Sequence, residues 1–146
     1  MEKNKKFHVE YTGVMDPLCI PLCDALNSCS GIKTVESCCG HGNEPYRIWF
    51  KCLGIDSYGL SVITRAVDSR YSGTNLQWSI KLETVDEIDE GYMSVCFLLE
   101  SNRPYITEEE MKQNIDQIIE NITEWSDPKY ADFFGMIRFY SPNVKF

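Results

Sequence analysis

The stretch IKTVESCCGHGNEPYRIWFKCLG, residues 32–54, decides the fold. Its first part, IKTVESCC, reads as a β-strand, and YRIWFKCLG alternates apolar and polar positions as a half-buried strand does. The intervening GHGNEP contains two glycines and ends in proline, which is typical of a turn. Two strands joined by a short turn form an antiparallel pair, so the stretch predicts a β-hairpin.

Further elements are predicted on both sides of this hairpin. FHVEYT (residues 7–12) alternates like a strand, and DPLCIPLCDALNSCSG (16–31) is typical of a helix with Asp16 as N-cap, Pro17 at its first position and a kink or early end at Pro21. Residues 57–73 predict a helix, and residues 76–85 and 91–101 predict strands separated by an acidic turn. ADFFGMIRFYS (131–141) fits a short helix or strand.

The clearest helix is TEEEMKQNIDQIIENITEWSD, residues 107–127. Thr107 and Glu110 form a capping box, and one apolar stripe follows at helical spacing. The order of elements is then strand, helix, two strands, helix, two strands, helix. This order favours one α+β domain over residues 1–146, with a mainly antiparallel sheet and helices packed on one face.

Composition limits the classes of function. The chain has 146 residues, 43% of them hydrophobic, so a substantial core is expected. A formal charge of −8 argues against binding of free nucleic acid, which normally requires a basic stripe. The sequence shows neither a membrane-spanning apolar run nor a signal peptide, so we expect a cytoplasmic protein. Seven cysteines cannot all pair within one molecule, and a reducing compartment favours free thiols.

The segment TVESCCGHG, residues 34–42, is the candidate site, and three kinds of chemistry remain open there. The first is a metal site. Thiolate and imidazole are zinc ligands, and Cys19 and Cys23 share a helix face, so a cluster of Cys19, Cys23, Cys38 and His41 is geometrically feasible although its spacing matches no standard zinc motif. We therefore assign none of these residues as a metal ligand from sequence alone.

The second kind of chemistry is nucleophilic catalysis. A reactive cysteine needs a neighbouring cation, histidine or helix N-terminus to favour its thiolate. His41 lies three residues after Cys38, Arg47 follows in the next strand, and His8 is a further candidate partner. On this interpretation Cys38 and His41 are the catalytic residues, with His41 donating or accepting protons near neutral pH.

The third kind of chemistry is ligand binding by the backbone. Glycines on both sides of His41 would allow a turn that presents successive amide groups to an anion or carboxylate, and small side chains before it would let a ligand approach. Tyr46, Trp49 and Trp78 on adjacent strands are predicted to form a stacking surface. The predicted ligand-binding residues are Ser37, Cys39, Gly40, Gly42, Arg47 and Trp49.

The segment LCDALNSCSGIKTVESCCGHG, residues 22–42, resembles the core motif of the wybutosine-synthesis methyltransferase-like proteins. That motif has a helix ending in Asn-Ser and then Thr-Thr-Ser-Ser-Cys-Ser-Gly-Arg. The matching residues are Asn27, Ser28, Thr34, Ser37, Cys38 and Gly40. Val35, Glu36 and Cys39 depart from the motif, and His41 stands in place of its arginine.

The resemblance implies a fold and a ligand. Members of that family act on a modified guanosine of phenylalanine tRNA. For this chain the resemblance implies an α/β domain with an antiparallel sheet and with the Ser-Cys-x-Gly turn at a ligand pocket. S-adenosylmethionine is by the same resemblance the candidate cofactor. Two classes of function stay open beside the metal site: a small methyltransferase-like enzyme, and a non-catalytic interaction or accessory protein that forms homo-oligomers or binds a partner through an apolar sheet face or edge strand.

Overall fold

The computed structural model describes residues 15–53, 58–87 and 93–130. These residues form three α-helices and four β-strands. The helices are α1 (Ile20–Asn27), α2 (Tyr58–Val67) and α3 (Glu108–Trp125), and the strands are β1 (Ile32–Cys38), β2 (Arg47–Cys52), β3 (Trp78–Glu87) and β4 (Met93–Ser101). Two predicted elements lie outside the described residues: the strand at 7–12, which contains His8, and the short element at 131–141.

The four strands form one sheet in the order β1-β2-β4-β3, and every neighbouring pair is antiparallel. The predicted hairpin is confirmed, because β1 pairs with β2 across the glycine-containing turn. The sheet then continues through β4, which pairs with both β2 and β3. The α+β prediction is therefore confirmed.

The core lies between one face of this sheet and the helices. Ile48 of β2 is directly opposite Leu99 of β4, and both side chains are fully buried. They belong to the same buried cluster as apolar residues of all three helices, which shows that the helices pack on one face. Burial of each large apolar side chain contributes roughly 1.5–3 kcal/mol. The helical members of this cluster include Leu22, Leu26, Ile63, Met111 and Ile118.

A β-bulge in β1 determines which residues at the end of that strand face the core. Thr34 pairs with Phe50, but the next paired residue is Glu36, opposite Trp49, so Val35 is an extra residue. Because side chains alternate along a strand, one extra residue exchanges the two faces for everything that follows. Ser37 therefore points into the core, and Cys38 lies on the opposite face.

The start of the first helix differs from the prediction. Pro17–Cys19 form a separate 3₁₀ turn, α1 begins only at Ile20, and Asp16 makes no capping hydrogen bond from its side chain. Oδ2 of Asp16 instead accepts a hydrogen bond from the backbone N–H of Cys39, at 3.1 Å. A proline stands in the first two positions of each segment, where its missing backbone N–H costs no intrahelical hydrogen bond. Two short helical segments can therefore follow one another. Asp16 is thus the N-cap residue of the 3₁₀ turn, with Pro17 at the first position as predicted, but its carboxylate binds the Cys39 backbone instead of capping the turn.

The Thr107 half of the predicted capping box of α3 is confirmed, whereas the Glu110 carboxylate binds the N–H of Ile106 instead of that of Thr107. Oγ1 of Thr107 accepts from the N–H of Glu110 at 3.0 Å. The Glu110 carboxylate accepts from the N–H of Ile106 at 2.8 Å and from Nη2 of Arg103 at 2.6 Å. The Arg103 guanidinium, followed by the hydrogen bonds from Ile106 and Asn75, lowers the pKa of Glu110 to about 2.

This depressed pKa predicts a pH dependence of stability. Because the pKa of Glu110 is lower in the folded chain than the ordinary value of 4.5, the interaction stabilises the fold fully above that pH. The stabilisation is lost as the pH falls from there towards 2. The Glu110→Gln variant should therefore lose less stability than the wild type between pH 5 and pH 2.5 in urea unfolding, with Glu109→Gln as the control. Parallel curves for the wild type and Glu110→Gln would contradict this explanation.

Candidate functional site

The turn between β1 and β2 has an unusual backbone. Gly40, His41 and Gly42 have φ angles of 82°, 53° and 80°, all in the left-handed region. The carbonyl oxygen of Gly40 accepts hydrogen bonds from the N–H groups of Asn43 and Glu44, at 2.9 and 3.1 Å, and so closes the turn. Histidine rarely adopts this conformation, and the two glycines on either side of it do so without steric cost.

This turn brings the His41 ring to Cys38 and to Asp16. One ligand atom from each of the three side chains lies within 4.8 Å of the other two. Nε2 of His41 is 3.6 Å from Oδ2 of Asp16. Within residues 15–53, 58–87 and 93–130, no other set of three or more histidine, cysteine or acidic side chains converges this closely.

Each of the three side chains is held by a neighbouring group. The Cys39 N–H donates to the Asp16 carboxylate, and the Gly40 N–H donates to Sγ of Cys38 at 3.4 Å. Sγ of Cys39 lies 3.5 Å from Nδ1 of His41, the ring nitrogen that does not face Asp16. The Asp16 side chain is 18% exposed and that of His41 is 62% exposed, so the cluster opens to solvent at the imidazole.

The Cys39 thiol is unsuited to act as a nucleophile. It is only 5% exposed, and burial raises its pKa to about 11, although a hydrogen bond with the His41 backbone acts in the opposite direction. The buried phenol of Tyr105 lies beside it, and there burial and the thiol together raise the tyrosine pKa to about 12. Cys39 therefore stays protonated at neutral pH, whereas a reactive cysteine requires a lowered pKa.

The cluster of Cys19, Cys23, Cys38 and His41 considered from sequence does not form. Cys19 and Cys23 are buried against the hydroxyl of Ser37, on the core side of β1. Burial raises the pKa of Cys23 to about 11 and raises that of Cys19 further. Ser37 is itself 0% exposed, so its side chain does not line the turn as a ligand-binding group would.

Arg47 and Trp49 lie on the same face of the sheet as Cys38. Arg47 is the cross-strand partner of Cys38, forms an ion pair with Glu44, and has its guanidinium carbon 5.7 Å from the centre of the Trp49 ring. These two predicted neighbours are therefore beside the site.

The predicted stacking surface of Tyr46, Trp49 and Trp78 is wrong. Tyr46 and Trp78 pack edge to face in the core, with ring centres 5.6 Å apart. The hydroxyl of Tyr46 donates to the carbonyl of Leu18, at 3.0 Å. Trp49 alternates with the buried Ile48 and Phe50 and so lies on the other face of the sheet.

Comparison of the chain with protein-family models, with curated proteins and with solved structures finds no match. The resemblance to the wybutosine-synthesis family, and the S-adenosylmethionine cofactor that it implies, therefore stay predictions, as does a role as an interaction protein. Among the helices that the structure describes, none combines the length and apolar character needed to cross a membrane. The chain is an α+β protein in which Asp16, Cys38 and His41 converge closely enough that they could hold a metal ion.

Proposed function

We propose that this protein binds a zinc-class transition-metal ion through Asp16, Cys38 and His41. The observation that carries the proposal is the convergence of a carboxylate oxygen, a thiol sulfur and an imidazole nitrogen within 4.8 Å of one another. The three residues come from separate parts of the fold: the segment before the first 3₁₀ turn, the end of β1, and the turn after it.

The donor set identifies the class of ion. Zinc accepts thiolate, imidazole and carboxylate ligands together, usually in tetrahedral geometry. Calcium and magnesium prefer sites made only of oxygen, so a thiolate and an imidazole disfavour them. Three protein ligands leave one tetrahedral position for water or a small ligand, which is the arrangement of catalytic rather than structural zinc sites.

The groups behind the ligands support the same proposal. Metal-bound histidines usually donate their second ring N–H to a neighbouring acceptor, and here Nδ1 of His41 has Sγ of Cys39 beside it. The backbone N–H of Gly40 donates to Sγ of Cys38, and that of Cys39 fixes one oxygen of Asp16. The ligands are thus oriented before the ion arrives.

A zinc ion held in this way would serve the catalytic role predicted for the turn. An open-site zinc polarises a carbonyl or phosphoryl oxygen and lowers the pKa of its bound water to about 7. In this proposal Cys38 is a metal ligand instead of a nucleophile, and His41 binds the ion through Nε2.

The Asp16→Asn variant tests the proposal directly. The amide has the same shape and retains an oxygen that accepts the Cys39 N–H, but it lacks the charge that binds a cation. We expect one Zn²⁺ per chain for the wild type by isothermal titration calorimetry, and an affinity at least about 10-fold lower for Asp16→Asn. Asp24→Asn, an exposed change on α1, is the control and should bind as the wild type does. Equal affinities in all three proteins would refute Asp16 as a ligand.

A further inference from the structure

We infer that the metal site takes a small oxyanion, a carboxylate or a phosphate group, with one oxygen on the open metal position and another on Arg47. The inference rests on the proposed metal site and names the class of ligand for it. Three features support it: Arg47 is the cross-strand partner of Cys38, its buried Nε has no acceptor among the described residues, and the cluster contains the Asp16 carboxylate.

The sheet register places Arg47 next to Cys38. The two residues are directly opposite each other in the β1–β2 pair. Opposite residues in an antiparallel pair have Cβ atoms roughly 4.5–5.5 Å apart and point to the same face. Because Cys38 is a ligand of the ion in the proposed site, Arg47 lies on the neighbouring strand directly beside that ligand.

The Arg47 guanidinium has an unused donor. Its Nε is buried and has no hydrogen-bond partner among the residues that the structure describes. Nη2 is paired with Glu44, whose side chain is 63% exposed, and the group lies near the ring of Trp49. A buried N–H without an acceptor is costly, and the arginine fork matches the paired oxygens of carboxylates and phosphates.

The charges make oxyanion binding depend on the metal. Without the ion, the Asp16 carboxylate repels a second anion from the cluster. With the ion, two positive charges balance the Asp16 carboxylate and the Cys38 thiolate, and the open coordination position attracts an oxygen donor. The oxyanion should therefore bind the loaded protein and leave the metal-free protein unoccupied.

Cobalt-loaded protein provides the test, because the visible spectrum of Co²⁺ responds to a change in its fourth ligand. We expect acetate or inorganic phosphate to alter the spectrum of the wild type in a saturable way. Arg47→Gln should weaken that binding about 10-fold or more and leave Co²⁺ affinity nearly unchanged. Arg70→Gln, which removes an exposed arginine paired with Asp68, is the matched control and should behave as the wild type.

The outcomes separate the two proposals. Tighter binding of acetate identifies a carboxylate ligand, and tighter binding of phosphate identifies a phosphate ligand. If Co²⁺ binds but neither anion alters its spectrum, or if Arg47→Gln binds the anion as the wild type does, the oxyanion inference is overturned and the metal site stands. Binding of the anion with equal affinity to metal-free protein also overturns it. Failure to bind Co²⁺ and Zn²⁺ overturns both proposals.

Discussion

Replacing Gly40 by alanine should destabilise the protein by about 3 kcal/mol, from a left-handed backbone cost of roughly 1–2 kcal/mol and an overpacking cost of roughly 1–3 kcal/mol. The φ angle of Gly40 is 82°, and an added Cβ would lie 2.7 Å from the carbonyl oxygen of Pro45. The backbone cannot yield without moving β2, which begins two residues after Pro45. Urea unfolding at neutral pH measures the loss.

Gly42→Ala is the matched control for this change. Its φ angle of 80° is nearly the same, but its added Cβ would meet only Tyr105, at the ordinary distances of 3.6 Å from the ring and 3.9 Å from the carbonyl oxygen. It should lose only the backbone contribution, about 1–2 kcal/mol. If Gly40→Ala is no more destabilising than Gly42→Ala, the close contact between Gly40 and the Pro45 carbonyl does not limit the size of the residue at position 40.

Replacing Cys38 by alanine should have the largest effect on metal binding. Loss of the only thiolate ligand leaves a carboxylate and an imidazole, and we expect Zn²⁺ affinity to fall at least about 100-fold, beyond the usual effect of removing a group behind a ligand. Competition with a chromophoric chelator measures the affinity. Cys52→Ala, at the far end of β2, is the control and should bind as the wild type does.

Cys39→Ala distinguishes the two adjacent thiols. Because Cys39 contacts the second nitrogen of His41 and does not join the ligand cluster, its loss should weaken Zn²⁺ binding only about 10-fold or somewhat more. The reverse result, in which Cys39→Ala abolishes binding and Cys38→Ala retains it, would make Cys39 the ligand and refute the arrangement described above.

The sequence predicts well those parts of the fold that local rules control. The β1–β2 hairpin follows from alternation and glycine content, and α3 follows from its apolar stripe and from the Thr107–Glu110 box. Both features depend on residues a few positions apart. The same kind of rule placed Asp16 correctly as an N-cap with Pro17 after it. It did not predict that α1 begins only at Ile20, or that the Asp16 carboxylate accepts its hydrogen bond from Cys39, 23 positions away.

In the candidate site, too, local patterns predict some residues and miss those that depend on contacts between distant parts of the chain. Cys38 and His41 were predicted together because a histidine three residues after a cysteine is a candidate partner for its thiolate, and the structure brings both into the cluster. Asp16 was missed as a site residue because no local pattern connects it to the turn. Ser37 was selected as a ligand contact, but the bulge between Thr34 and Glu36 turns it into the core. Bulges depend on cross-strand pairing, which alternation along one strand does not reveal.

The most direct test of the metal site is zinc-edge X-ray absorption of the protein loaded with one equivalent of Zn²⁺. The arrangement of Asp16, Cys38 and His41 predicts one sulfur neighbour at about 2.3 Å and nitrogen or oxygen neighbours at about 2.0–2.2 Å, including the imidazole. The same spectrum from Cys38→Ala should lack the sulfur neighbour. A zinc environment of nitrogen and oxygen alone in the wild type, or one with two or more sulfur neighbours, would contradict the proposed ligand set.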